Sequence, residues 1–213
     1  MDPFSLIAME RRRLADALAG LTPQEWNQPS LCGAWSNHEV AAHLNVPFET
    51  GAFTFVGALL KARGSFDVAN ERVAKQLAAR MDPAACVEGL RANAKHRFTP
   101  PGYGPEAPLT DTVVHGEDIL RPLGRSVTVS KEALAAVMHF MTSRKANRGF
   151  GVISVDDVHF EPNDVDVSIG HGGQVVNGPA LAMVCVLVGR QAFLDDLTGP
   201  GADLLRDRLT SSR

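Results

Sequence analysis

The sequence has few cysteines and no long apolar run. Its three cysteines, Cys32, Cys86 and Cys185, are widely spaced and form no C-x-x-C pair, which excludes a disulfide framework. The first four residues contain no basic segment followed by an apolar one, so we expect no signal peptide. The longest apolar run, residues 179–188, is far shorter than the roughly 20 residues that a membrane span needs. These absences predict a cytoplasmic protein, in a reducing compartment, with no membrane partner.

The chain also lacks an excess of basic residues. It carries 21 Lys+Arg against 24 Asp+Glu, a formal net charge of −3, whereas a general nucleic-acid binder is expected to be basic. We therefore expect no nucleic-acid partner. At about 150 residues per domain, the 213 residues allow one large domain or two small ones. Seven histidines stand beside a single tyrosine, and histidine is the commonest metal ligand and acid–base group.

The first residues carry the signals of a helix start. Asp2 is suited to cap a helix whose first position is Pro3, and apolar residues between positions 4 and 21 lie close to one helical face. The run Arg11-Arg12-Arg13 inside this helix predicts a solvated face. Residues 22–35, which include two tryptophans, two prolines and a glycine, are predicted to form a loop.

The next helix begins at a capping box. Ser36 and Glu39 match the pattern S-x-x-E, which predicts a helix from Asn37 that is bent at Pro47 and ended by Gly64. Further helices are predicted over residues 67–81, 83–96, 109–123 and 130–144.

The second half of the chain has a different pattern. Residues 158–161 and 165–169 alternate apolar and polar side chains, as strands do, and the Pro-Asn-Asp between them is typical of a turn. Residues 170–173 predict another turn, and residues 178–189 predict a buried helix, with a strand as the alternative. The sequence therefore predicts a mostly α protein, with a helical bundle over residues 1–126 and a small α+β domain over residues 127–213.

Asp111 and His115 are four residues apart on a predicted helix and therefore project from one face. Such a carboxylate–imidazole pair can hold a divalent metal if another helix supplies a third ligand; a surface ion pair is the alternative. His43, in the apolar stretch 40–44, is the candidate third ligand, and a core histidine bonded to a carbonyl is its alternative. His38 lies about 140° around the same helix and is expected to be exposed.

Two residues close to His115 in the sequence, Asp118 and Gly116, bear on its predicted role as a metal ligand. Asp118 lies three residues after His115 and three before Arg121. It is expected to orient His115 or to pair with Arg121, with direct ligation as a third possibility. Gly116 costs about 1 kcal/mol against alanine inside a helix, which indicates that another helix or a ligand approaches closely there.

Three segments, in order, resemble one known family. Residues 26–36, W-N-Q-P-S-L-C-G-A-W-S, followed by V-A-A-H-L at 40–44, look like the opening of the mycothiol-dependent maleylpyruvate isomerase family. This family belongs to the DinB-like metal-binding four-helix bundles. Residues 111–124, D-T-V-V-H-G-E-D-I-L-R-P-L-G, look like its second signature, and residues 178–201 resemble the tail found in other members.

The resemblance implies a DinB-like bundle that holds a divalent metal, zinc, through His43, Asp111 and His115. At position 111 the family pattern has glutamate, and this chain has aspartate. Because aspartate is one methylene shorter, either the metal lies closer to this helix or a water molecule intervenes.

The resemblance also implies mycothiol as a low-molecular-weight thiol cosubstrate and a small electrophilic substrate. The expected activity is an isomerisation or a thiol S-transfer; the alternatives are a non-catalytic, stress-linked metal-binding protein and a module that binds a small apolar ligand. Arg121, Arg97 and Arg190 are candidate partners for anionic groups of the substrate or thiol. Cys32 is interpreted as structural, because no base stands beside it in the sequence. A monomer and a homodimer both fit.

Overall fold

The computed structural model describes residues 2–33, 35–51, 57, 60–61, 65–146, 150 and 152–211. Its α-helices include α1 (Pro3–Leu18), α2 (Pro23–Trp26), α3 (Asn37–Glu49), α4 (Phe66–Ala78), α5 (Pro83–Ala92), α6 (Glu106–Leu120), α7 (Lys131–Met141), α8 (Ala180–Leu187) and α9 (Pro200–Ser211). Short 3-10 helices follow at Arg121–Leu123 and Gln191–Asp196, and the strands are β1 (Val158–Pro162) and β2 (Gln174–Gly178). The protein is a helical bundle followed by a small α+β part, which confirms the predicted fold class.

The predicted starts of α1 and α3 are confirmed by their capping hydrogen bonds. The Ser5 amide donates to Asp2 Oδ2 at 3.0 Å, and Pro3 occupies the first turn of α1. At α3 the Glu39 amide donates to Ser36 Oγ at 3.2 Å, while the Ser36 amide donates to Glu39 Oε2 at 2.8 Å. These bonds satisfy amide groups that a helix start otherwise leaves unpaired.

Two boundaries in this region differ from the prediction. The predicted loop over residues 22–35 contains α2, which begins at a second capping box formed by Thr22 and Glu25. The T-P-Q-E signal for it was present in the sequence. Helix α3 ends at Glu49, with Pro47 in its last turn. Gly64, the predicted end, lies outside the described residues.

The chain divides into two compact units. The first comprises residues 2–99 and 111–127, and the second comprises chiefly residues 100–110 and 128–213. Helix α6 therefore contributes residues to both units. The domain bounds expected from the sequence, 1–126 and 127–213, stay a prediction, as does the choice between monomer and homodimer.

In the first unit the helices share one apolar core. Helix α3 packs against α4 and α5, and α1 packs against α5. The side chains of α6 that join this core are Ile119 and Leu120, and burial of a side chain of this size contributes about 1.5–3 kcal/mol. Asp111 and His115 lie two turns and one turn before Ile119, so the same packing holds the predicted ligand face of α6 inside the first unit.

The sequence predicted that Arg11-Arg12-Arg13 in α1 form a solvated face, and this prediction is wrong at Arg11. Arg11 is only 3% exposed. Its Nη1 donates to the carbonyl groups of Asn93, Ala94 and His96 at 3.2, 3.3 and 2.9 Å, and its guanidinium lies 4.9 Å from the centre of the Phe48 ring. Burial lowers the pKa of Arg11 to about 10. This side chain therefore holds the carboxyl-terminal end of α5 against α1.

The second strand predicted for this part of the chain, residues 165–169, is wrong. Strand β1 pairs with β2 in parallel, with Val158 opposite Gln174, and from the predicted strand 165–169 only an isolated bridge between Ile169 and Phe160 is described. Asp164, predicted to lie in a turn, accepts a hydrogen bond from the Ala180 amide at 2.9 Å. It thereby satisfies an amide group at the start of α8.

Helix α8 confirms the predicted buried helix. Seven of its eight residues are buried, and only its second residue, Leu181, is partly accessible. Despite this apolar character, no helix among the described residues is both long and apolar enough to cross a membrane.

The close packing of α3 on α5 yields a stability prediction. A methyl group at Gly89 would clash with Asn45 Oδ1 and lie 2.9 Å from Met81 Cε. Asn45 cannot turn away without losing bonds, because its Nδ2 donates to the Ala41 and Cys86 carbonyl groups at 2.9 and 3.1 Å. We expect Gly89→Ala to lower the free energy of unfolding by about 1–2 kcal/mol, since overpacking outweighs the gain in helix propensity.

Urea unfolding monitored by circular dichroism tests this expectation. Gly51→Ala is the matched control, because a methyl group there meets nothing within 4 Å. Equal midpoints for the two variants would contradict the packing argument.

Candidate metal centre

Helices α3 and α6 bring His43, Asp111 and His115 together. Asp111 Oδ2 lies 3.6 Å from His43 Nε2, and Asp111 Oδ1 lies 3.4 Å from His115 Nε2. The two imidazole rings meet edge to face with centroids 4.9 Å apart. One possible ligand atom from each residue lies within 4.8 Å of the others, a grouping that could hold a metal ion. The three side chains that the sequence proposed as ligands therefore share one site, and their role as ligands stays a prediction.

The separations fit a single ion. Zinc binds imidazole nitrogen and carboxylate oxygen at about 2.0–2.2 Å, so two such ligands at a tetrahedral angle are about 3.4 Å apart. The observed 3.4 and 3.6 Å, measured to the two different oxygens of Asp111, are close to that spacing. His43 is 8% exposed, and its buried Nδ1 has no hydrogen-bond partner among the described residues. The residues present thus fit a divalent metal.

Asp118 fixes the orientation of His115. Its carboxylate has no exposed surface and accepts a hydrogen bond from His115 Nδ1 at 2.8 Å. With Nδ1 held by Asp118, Nε2 is the nitrogen that faces Asp111 and is the one that would bind a metal. The 2.8 Å separation is that of a hydrogen bond and is too short for two ligands of one ion, which favours an orienting role for Asp118.

The site is electrostatically coupled. Burial acts to raise the pKa of Asp111, but the charge of His43 and hydrogen bonds from His115 and His43 outweigh it and hold that pKa well below its usual range. Burial acts to lower the pKa of His115, but contacts with Asp111, Asp118 and Cys32 outweigh it and raise that pKa well above its ordinary value. The opposite directions of the two pKa shifts show that the carboxyl and the imidazole favour each other's charged forms, and metal binding by His115 would require the nitrogen to be deprotonated.

An aromatic ring lies beside the candidate metal centre, and a neighbouring helix packs closely against α6 at Gly116. Trp35 is 9% exposed, and its ring centre lies 5.2 Å from that of His43 and 6.4 Å from that of His115. A methyl group at position 116 would lie 3.2 Å from Leu14 Cδ1. The close approach expected at Gly116 is therefore that of helix α1.

Comparison with known proteins identifies the family. The family model described as the mycothiol maleylpyruvate isomerase N-terminal domain matches residues 7–120, more than half of the chain. The chain belongs to this family. The match includes both helices that carry the candidate ligands, so the resemblance seen in the sequence motifs is confirmed.

Solved structures of this family share the fold. A crystal structure of the mycothiol-dependent maleylpyruvate isomerase superposes with a TM-score of 0.58 at 16% sequence identity and covers 93% of this chain and 91% of that chain. A crystal structure of a histidine-to-alanine mutant of the mycothiol-dependent maleylpyruvate isomerase gives a TM-score of 0.57 with the same identity and coverage. No curated protein matches the chain.

Sequence reasoning missed one neighbour of the candidate metal centre. Cys32, interpreted as structural for lack of an adjacent base, has its Sγ within 4.8 Å of a ring nitrogen of His115. It forms with His115 and Asp118 a second group of possible metal ligands, again within 4.8 Å of one another. No sequence signal could have found this contact, because the two residues are far apart in the chain and meet only through packing.

The three arginines predicted to bind anionic groups lie in different parts of the structure. The Arg97 guanidinium lies 4.2 Å from the centre of the Phe4 ring. Arg121 begins the 3-10 helix after α6, and its charge acts on Glu117. Arg190 belongs to the second unit, where its Nη1 donates to the Val188 carbonyl at 2.7 Å. Substrate or thiol binding by these residues stays a prediction.

The ligand assignment is tested by metal binding. We expect His43→Ala, Asp111→Asn and His115→Ala each to lose stoichiometric metal, because two remaining ligands hold an ion weakly. Asp118→Asn is expected to keep the metal with an affinity lowered about 10- to 100-fold. The measurements are metal analysis of the purified protein and quenching of Trp35 fluorescence by added Co²⁺ in a Trp26→Phe background.

His38→Ala is the matched control, since it lies on the same helix. The structure makes His38 half-buried rather than exposed, with Nε2 2.7 Å from the Met81 carbonyl oxygen. Full metal content in both His43→Ala and His115→Ala would refute the site.

A buried carboxyl on the same helix predicts a pH dependence. Glu117 is 4% exposed. Burial raises its pKa to about 7, against the lowering effect of Arg13 and Arg121. Between about pH 4.5 and 7 the folded protein therefore keeps a proton on Glu117 that the unfolded chain has released. The stability that this proton gives the folded state is complete below pH 4.5 and is lost as the pH rises through about 7. We expect the free energy of unfolding to fall by about 2–3 kcal/mol more between pH 5 and 8 in the wild type than in Glu117→Gln.

Urea unfolding at the two pH values, with a chelator present to exclude metal effects, measures this difference. Glu88→Gln, at an exposed position on α5, is the control and should follow the wild type. Parallel pH profiles for wild type and Glu117→Gln would rule out the shifted carboxyl.

Proposed function

We propose that this chain is a metal-dependent isomerase that uses mycothiol as its thiol cosubstrate and acts on small electrophilic molecules. The observation that carries the proposal is the convergence of His43, Asp111 and His115, with oxygen–nitrogen separations of 3.4 and 3.6 Å. The motif pair that supplies these residues lies within the part of the chain that matches the isomerase family. The free state of the three cysteines accords with a reaction in the reducing cytoplasm.

The ligand set suits a catalytic rather than a structural ion. Three protein ligands leave one position of a tetrahedral zinc ion open, and an ion held there would lower the pKa of a thiol bound at that position. His43 and His115 supply neutral nitrogen ligands, and Asp111 supplies one negative charge. Asp118, which is fully buried and accepts a hydrogen bond from His115 Nδ1, keeps the ring turned with Nε2 towards Asp111.

The chain's own residues also restrict the space around the ligands. Trp35 places its ring 5.2 Å from that of His43 and 6.4 Å from that of His115, between ring centres. Arg121, Arg97 and Arg190 remain the candidates for holding carboxylate groups of a substrate, since guanidinium groups bind carboxylates with paired hydrogen bonds. A thiol that adds reversibly to a conjugated double bond allows rotation about it, and for that chemistry the protein needs only these elements.

Turnover with catalytic amounts of thiol tests the proposal. The zinc-loaded full chain is incubated with mycothiol and a set of cis-configured unsaturated keto acids that includes maleylpyruvate, and the cis–trans conversion is followed by absorbance. We expect conversion that depends on the thiol, and a loss of about 1,000-fold or more in Asp111→Asn and His115→Ala, because a metal's charge stabilisation is worth several kcal/mol. His38→Ala should retain activity.

The other outcomes identify the rival functions. Consumption of one thiol per product, with the thiol retained in the product, would make the chain an S-transferase instead. Stoichiometric metal without conversion of any compound would leave a non-catalytic metal-binding protein, and a co-purified apolar ligand in that case would point to a binding module.

A further inference from the structure

The two histidines of the candidate metal centre are held in different ways. His115 Nδ1 lies 2.8 Å from Asp118 Oδ2, in a hydrogen bond to a fully buried carboxylate. His43 Nε2 lies 3.6 Å from Asp111 Oδ2, and its Nδ1, although buried, has no hydrogen-bond partner in the described part of the chain. A metal-bound histidine almost always donates its second ring N–H to a partner that fixes the ring. The ring of His43 must therefore be held by something other than a hydrogen bond at Nδ1.

Trp35 packs against the ring of His43. The two ring centres lie 5.2 Å apart, with the ring planes inclined at 52°, a separation within the range of interacting aromatic pairs. Both residues are buried, with 9% of Trp35 and 8% of His43 exposed. The His43 ring also meets the ring of His115 edge to face, with centres 4.9 Å apart. The imidazole of His43 is thus bounded by an indole and by a second imidazole that Asp118 already fixes.

The loop that carries Trp35 is itself fixed to α6. The Leu31 amide donates to the Asp118 carbonyl at 3.0 Å, which ties the loop to this helix. The Trp35 carbonyl accepts hydrogen bonds from the Ser30 amide and from Ser30 Oγ, both at 2.9 Å. Because these bonds hold the main chain of the loop, the indole of Trp35 has a fixed place beside His43.

We propose that Trp35 is the positioning residue for His43, and that its indole ring, rather than a hydrogen-bonding side chain, holds the imidazole with Nε2 towards Asp111. This inference rests on the proposed function, from which it takes the metal centre. Loss of a group that orients a metal-bound histidine typically lowers metal affinity about 10- to 100-fold. Removal of the indole should therefore weaken metal binding, although Trp35 supplies no ligand atom.

Competition for zinc against a chromogenic chelator tests the proposal on the full chain. We expect Trp35→Leu to lower zinc affinity about 10- to 100-fold, and Trp35→Phe, which keeps an aromatic ring, to stay close to the wild type. Trp26→Leu is the matched control. Trp26 is 6% exposed and pairs with His38, which is not a candidate ligand, at 6.2 Å between ring centres, so its replacement should leave zinc affinity unchanged. Equal zinc affinity in Trp35→Leu and the wild type would overturn the proposal.

A double substitution shows whether Trp35 acts through His43. If the indole positions this histidine, Trp35→Leu should change the residual zinc affinity of His43→Ala by less than about 2-fold, because no imidazole is left to hold. A merely structural role of the loop would lower zinc affinity equally in both backgrounds and would refute the positioning role. Ser30→Ala, which removes a hydrogen bond to the Trp35 carbonyl and leaves the indole in the chain, gives the same comparison if Trp35→Leu does not fold.

A second readout requires neither metal nor turnover. In the metal-free chain, the nuclear Overhauser effect between the ring protons of His43 and His115 reports their edge-to-face contact, since Asp118 fixes the His115 ring independently. We expect this signal in the wild type and in Trp35→Phe, and its loss in Trp35→Leu; a signal that persists in Trp35→Leu would overturn the positioning role.

The two proposals can therefore fail separately. If the signal is lost in Trp35→Leu but the wild type converts no substrate with mycothiol, the positioning role stands and the proposed function fails. If the wild type converts its substrate but Trp35→Leu keeps both the signal and the zinc affinity, the proposed function stands and the positioning role fails.

Discussion

The hydrogen bond between His115 Nδ1 and Asp118 Oδ2, 2.8 Å long, is the interaction on which the candidate centre depends. Asp118 is fully buried, and a buried carboxylate is costly unless it is paired. The pairing therefore holds the imidazole ring in one orientation, and that orientation turns Nε2 towards Asp111. The main chain of Asp118 also accepts a bond from Leu31, so the same residue anchors the loop that carries Cys32 and Trp35.

Packing of the bundle supports this orientation from the other side of α6. Gly116 lets α1 approach until Leu14 fills the place that a side chain would take, and the helical cost of this glycine, about 1 kcal/mol, is offset by burial of Leu14. Arg11, on the same helix as Leu14, bonds three carbonyl groups after α5. Helix α1, which packs against α6 at Gly116, is therefore itself held in place by buried polar contacts.

Local rules predicted the helices because their signals are local. The capping boxes and the four-residue spacing of Asp111 and His115 involve residues within one turn, whose geometry hardly depends on the rest of the chain. The strand predicted at residues 165–169 was wrong for the opposite reason. Val158 pairs with Gln174 in a parallel ladder, and the local alternation of apolar and polar residues carries no information about that distant partner.

The sequence by itself determined that a carboxylate and an imidazole share one face of α6, that His43 lies on an apolar part of α3, and that the family motifs stand in order. Tertiary structure decided which nitrogen of His115 faces Asp111, that Arg11 is buried, and that Cys32 meets His115. Helical periodicity sets where a side chain points relative to its own helix. The partner that it meets depends on how helices pack, and that is settled by the whole core rather than by any local pattern.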